Sequence, residues 1–187
     1  MTENSHESAV LMIGETLLIL QRFEQLVVAA LLGMVSPTEA DAKLEATLLR
    51  DKGTLGSLIG HLGKRVELPK HFADTFERLL ERRNVFVHKL FMAPWFNLRT
   101  EDGLYQLDEF MRGIRADAKV ALHVLIAANL ASRSQNISPA ADARIAAILE
   151  RIEATVEPYF GGLSPEQYVA KVVNNALGQF AVRPKEV

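Results

Sequence analysis

The sequence predicts an all-α protein, and three observations carry that prediction. Apolar residues recur at spacings of three and four along most of the chain. No segment shows sustained polar/apolar alternation with β-branched enrichment, so no strand is expected. Helix start signals, Ser36-Pro37, Pro69, Thr100 and Ser138-Pro139, recur between the periodic segments. At 187 residues, 49 % hydrophobic and 24 % charged, the chain suits one compact domain, 1–187, with a frayed tail at 182–187. The expected form is a helical bundle with two long helices and several shorter ones.

Ser5–Met34, rich in Leu, Ile, Val and Ala, reads as the first long helix. Ser36 is the expected N-cap of the second, with Pro37 at its first position and Glu39 completing a capping box. The stop signal "DKG" ends it near Asp51. "TLGSLIGHL", 54–62, reads as a short helix whose glycines permit close packing. Pro69 opens a helix to about Phe91, and 92–103 is a loop with Pro94 as breaker and Thr100 as N-cap. The second long helix covers about 104–133, and Ser138-Pro139 starts another to about Val156. A break at Pro158, Gly161 and Gly162 precedes a last short helix after Ser164.

Composition narrows the function classes. A formal charge of −2 leaves no global electrostatic footprint for nucleic acid, so such binding would rest on a local patch. With no cysteine there is no disulfide framework, thiolate nucleophile or Cys-based zinc site. The start "MTENSHESAV" has acids and no basic region, which is not the pattern of a secretory signal. Glu15, Arg22 and Glu24 interrupt the apolar run from Ala9 to Val35, which reads as a buried core helix rather than a membrane anchor. A cytoplasmic location is expected.

The informative stretch is "ERRNVFVHKLF", 81–91. On a regular helix Phe72, Phe76, Leu79, Leu80, Phe86, Val87 and Leu90 share an apolar face, with Arg83 near its middle. Glu81, Asn84 and His88 form a polar stripe beside it. A buried, unpaired charge costs several kcal/mol. Arg83 therefore pairs with a carboxylate or faces a cleft or interface that admits an anion. Glu24, inside the stripe Ile13, Leu17, Leu20, Val27 and Leu31, is the expected partner in the first case.

These residue types suit phosphate chemistry. Imidazole can move protons at neutral pH. A guanidinium offers a planar, permanent charge to phosphate oxygens. RNA cleavage without a metal needs both functions, because a 2′-hydroxyl must lose a proton and the phosphorane must be stabilised. One His and one Arg are a thin set, and two copies across a two-fold axis would supply more.

Arg83-Asn84-Val85-Phe86-Val87-His88 resembles the R-x4–6-H motif of HEPN domains, in which a polar residue, often Asn, follows the Arg. The all-α setting, with the motif late in a helix that follows a long first helix, is similar too. Lys89 stands where that family often has a small residue. The resemblance implies a homodimer with the motif lining a cleft at the dimer interface, acting as a metal-independent ribonuclease of toxin or defence type. Arg83 and His88 would be the catalytic pair, and Asn84 accessory; Glu81 and Lys89 are further substrate-binding candidates. No cofactor or metal is implied, and RNA or a nucleotide and an antitoxin protein are the partners to expect. The alternative is a non-catalytic nucleotide- or RNA-binding, or structural, regulatory protein of the same fold.

The same residues also fit plainer roles. His88 reads equally as a helix histidine favoured by the dipole near a C-terminus, and Arg83 as half of a structural ion pair. Arg82 and Lys89 read as solvated. Lys64, Arg65, Lys70, Arg78, Arg82, Arg83 and Lys89 outnumber Glu67, Asp74, Glu77 and Glu81, a modest local basic excess. His61, His71 and His123 are scattered without metal-ligand spacing. Trp95, Phe91 and Phe96 could stack on a base, or close a core or an interface.

Overall fold

The computed structural model describes residues 3–35, 38–51, 53–65, 70–131 and 137–156. Every regular element among them is helical: α1 (Glu3–Gly33), α2 (Glu39–Leu49), α3 (Leu55–Arg65), α4 (Lys70–Asn84), α5 (Glu101–Ala131) and α6 (Pro139–Val156). The all-α class is as the sequence predicts, with two long helices, α1 and α5, of 31 residues each. The break at 158–162, the helix after Ser164 and the 182–187 tail lie outside the described residues.

Most boundaries fall within a few residues of their sequence signals. The start of α2 is corrected. Thr38, not Ser36, is the N-cap: its backbone is extended and its hydroxyl accepts from Asp41 N at 3.2 Å. Ser36, Pro37 and Pro69 lie outside the described residues. The stop after α2 rests on Asp51 at φ 52°, a left-handed conformation that Asp tolerates better than most residues. Thr100 accepts from Gly103 N at 3.1 Å, and Ser138 from Ala141 N at 3.1 Å, so both expected caps form.

Contacts divide the chain into two compact units, Met1–Phe23 with His71–Ala121, and Glu24–Lys70 with Leu122–Val187. α1 and α5 each contribute to both.

In the first unit, α5 buries Leu107, Met111, Ile114, Ala118 and Ala121 at helical spacing. Phe23 of α1 meets Phe76 of α4 with ring centroids 5.7 Å apart. Thr16 is fully buried, and its hydroxyl is satisfied by donating to Met12 O at 2.8 Å. Trp95 packs on Phe110 with ring centroids 5.0 Å apart, both residues half-buried.

In the second unit, Leu26 to Leu32 of α1 are buried without interruption, a helix apolar all round and enclosed all round. They share the unit with Leu44 and Leu48 of α2, Leu55, Leu58 and Leu62 of α3, and Ile145 and Ile148 of α6. Arg144 grips both Asp51 oxygens at 2.8 Å, and Arg65 pairs with Asp41. The segment Glu7–Gly33 is long and apolar enough to cross a membrane, yet 67 % of its most apolar window is buried inside the protein.

Candidate functional site

The helix carrying the motif is not regular. α4 ends at Asn84, Val85–Lys89 forms a π turn, and Leu90–Met92 a 3₁₀ turn. Asn84, Val85, Phe86 and Val87 are four consecutive poor helix formers, which weakens the α-helical hydrogen-bond ladder there. Ala93, ahead of Pro94, turns to extended backbone and ends the element.

The π turn corrects the regular-helix geometry. Residues five apart on an α-helix point about 140° away from each other. A π turn, closed by i→i+5 bonds, brings such residues to one side. Arg83 and His88 accordingly meet, with Arg83 Nη1 3.3 Å from His88 Nε2. The same nitrogen lies 3.4 Å from Asn84 Oδ1. Arg83 is thus half-buried with its head on the polar stripe, rather than in the middle of the apolar face. The turn also shifts the face itself: Phe86 and Leu90 stay buried, while Val87 is 44 % exposed.

A guanidinium can only donate, so the Arg83 contact suits the neutral tautomer of His88 that accepts at Nε2 and carries its proton on Nδ1. Nε2 therefore presents a lone pair, held by a donor that a phosphate oxygen would compete for. Glu81 and Lys89 are both exposed and stand outside the Arg83–Asn84–His88 triangle.

One constellation escaped the sequence reading. Asp117 of α5 is buried, 8 % exposed, and accepts from Arg78 at 3.0 Å and Arg82 at 2.5 Å, one turn apart on α4. Arg78 also donates to Thr75 Oγ1 at 3.2 Å. The Asp117 hydrogen bond, then its charge, raises the Arg78 pKa further above its ordinary value. Gly113 makes room for this clamp, since a Cβ there would lie 3.0 Å from Cζ and Nη1 of Arg82. The sequence signal was a lone Asp within the apolar stripe of α5, between Ile114 and Ala118. Arg82 is therefore an ion-pair residue whose side chain remains 37 % exposed.

This clamp also corrects the local charge. Within 70–89, Lys70, Arg78, Arg82, Arg83 and Lys89 face Asp74, Glu77, Glu81 and, from α5, Asp117, which reduces the cationic excess there to one. Beyond the π turn, Phe91 and Met92 are 87 % and 81 % exposed, with Phe91 edge-on to Phe96 at 5.2 Å.

The second unit holds a cavity of about 140 Å³ lined by residues including Glu24, Val28, Asp51 and Leu58. That is well below the roughly 300 Å³ at which small-molecule sites begin. No family model, curated protein or solved structure matches the chain.

Proposed function

We propose that the chain is a HEPN-like, metal-independent endoribonuclease, active as a homodimer that brings two Arg83/His88 pairs to one cleft. The observation that supports this reading is the 3.3 Å approach of Arg83 Nη1 to His88 Nε2 through the π turn. π turns inside α-helices occur frequently at functional sites.

In the proposed reaction a phosphate oxygen takes the Arg83 donor and frees the Nε2 lone pair. His88 removes the 2′-hydroxyl proton, and the 2′-oxygen attacks phosphorus. Arg83 stabilises the phosphorane, and the 5′-oxygen leaves with a proton from the His88 of the second copy, which enters the turnover as imidazolium and leaves it neutral while the first His88 ends protonated. The products are a 2′,3′-cyclic phosphate and a 5′-hydroxyl. Asn84 orients the guanidinium through its Oδ1.

The pairing of Arg78 and Arg82 with Asp117, which leaves little cationic excess around α4, favours a second reading, a non-catalytic module that binds a nucleotide with few phosphates. Such a module lacks the cation track that gives long RNA its affinity. The deciding test is cleavage of labelled single-stranded RNA and tRNA in excess EDTA, wild type against His88→Ala at matched thermal stability. Cleavage lost in the variant, with cyclic-phosphate ends in the wild type, supports the nuclease. Nucleotide binding that weakens with Arg83→Ala, without turnover by either protein, selects the binding module.

A further inference from the structure

Aromatic contacts run in series behind one exposed ring. Trp95 packs on Phe110, Phe96 meets Trp95 edge-on at 6.3 Å, and Phe91 meets Phe96 edge-on at 5.2 Å, all within the first unit. Trp95 and Phe96 are half-buried, and the series ends at Phe91, which stays 87 % exposed. The Phe91 ring is thus braced at an edge and open to solvent. Its position adds to this. Phe91 stands three residues past His88. Residue i+3 eclipses i in a 3₁₀ turn and lies about 60° from it in an α-helix. Side chains three apart are neighbours, about 5–6 Å between Cβ atoms. Phe86 and Leu90 are buried, which leaves His88 and Phe91 together on the outward side.

We infer that Phe91 is the base-stacking platform of the Arg83/His88 site, taking an unpaired nucleobase next to the bound phosphate, purines ahead of pyrimidines. The inference rests on the reading of that pair as a phosphate site. A base hangs one sugar from its phosphate, a reach comparable to the step between neighbouring helix positions. Every base has a π face, so stacking accepts any of them, and preference follows stacking strength rather than hydrogen-bond readout. The larger purine face therefore leads. A base inside a duplex is already stacked on both faces and leaves the ring unused. The size of the platform sets it apart from a protein-docking surface. One aromatic side chain covers about 150–250 Å², far short of the roughly 800 Å² per partner of a stable interface, and it suits one planar ring.

The test uses strands of deoxyribonucleotides carrying a single ribonucleotide, so that one 2′-hydroxyl fixes the point of cleavage. The base on each side of that phosphate is varied in turn among purine, pyrimidine and abasic, in excess EDTA. Wild type is expected to cut purine-flanked sites fastest and abasic ones slowest. Phe91→Leu keeps apolar bulk without a π face. It should lower kcat/KM on the purine substrate by about tenfold to a hundredfold, the fold-change that stacking of one base carries, and leave the abasic substrate unchanged. Phe91→Trp should restore the preference. Binding is read separately by quenching of 2-aminopurine fluorescence in a 2′-O-methyl strand, which cannot be cut by this route. Wild type should quench it and Phe91→Leu should not. Cleavage whose base preference survives Phe91→Leu overturns the platform and leaves the nuclease standing. Quenching that depends on Phe91, with no cleavage by wild type, supports the platform and removes the nuclease. Neither quenching nor cleavage by wild type overturns both. A Phe91→Leu protein that halves its mass in sedimentation also overturns the platform, because a second copy then covers the ring.

Discussion

Asp117→Asn tests the ion pairs that hold α4 to α5. The substitution keeps the side chain's shape and removes its charge. Asn has one acceptor oxygen, so it can serve Arg78 or Arg82, and its amide hydrogens then face the other guanidinium. A hydrogen bond to a charged group contributes about 1.5–3 kcal/mol when well buried. Here the arginine side chains are 49 % and 37 % exposed while that of Asp117 is 11 % exposed, so water screens one end of each pair. Arg78 is the more exposed of the two, so the loss is carried mainly by the Arg82–Asp117 pair, which that discount leaves at about 1 kcal/mol. At roughly 2–4 °C per kcal/mol for a chain of this size, Tm should fall by about 2–4 °C. Thermal unfolding followed by far-ultraviolet circular dichroism measures it. Glu109→Gln is the control, because its pair with Arg112 joins side chains 48 % and 61 % exposed and should shift stability by less than about 0.5 kcal/mol. In about 1 M salt the Asp117→Asn deficit should shrink and persist, since the Debye length of about 3 Å screens the arginine heads more than the buried carboxylate. Equal melting of Asp117→Asn and Glu109→Gln would refute the reasoning, and with it the assignment of Asp117 as a structural anchor.

Two further substitutions bear on the turn after the motif. Gly103→Ala would drive a methyl into the Asn97 carbonyl oxygen, a backbone atom that cannot swing aside, and is expected to cost about 2–3 kcal/mol in chemical denaturation. Phe91→Ser removes a large aromatic that is 87 % exposed, so its unfolding midpoint should move by less than about 0.5 kcal/mol. A large loss there would mean that Phe91 is covered in solution.

The helices were legible because their signals are local. Apolar residues three and four apart mark a buried face, and Thr100 and Ser138 announce their own caps. The start of α2 misled because Ser36 and Thr38 are both good caps two residues apart, and only the hydrogen bond to Asp41 N decides between them. Arg83, Asn84 and His88 were legible as a set of residue types, but their meeting was not. A regular wheel separates Arg83 from His88, and the π turn that unites them arises from a short run of weak helix formers whose individual signals are small. Asp117 shows the other limit: a carboxylate in an apolar stripe declares that a partner exists, and only the packing of α4 on α5 says which arginines it is.

The π turn also bears on how spacing is read in such motifs. A regular helix stacks residue i under i+4, and a widened turn stacks it under i+5. Arg83 and His88 meet by the second rule. A chain one residue shorter between them would meet by the first, with the widened turn closing to regular helix. The same pair of heads is therefore reachable at two spacings in this chain. Deleting Val85 should accordingly leave the Arg83 and His88 heads in contact, one helical rung apart.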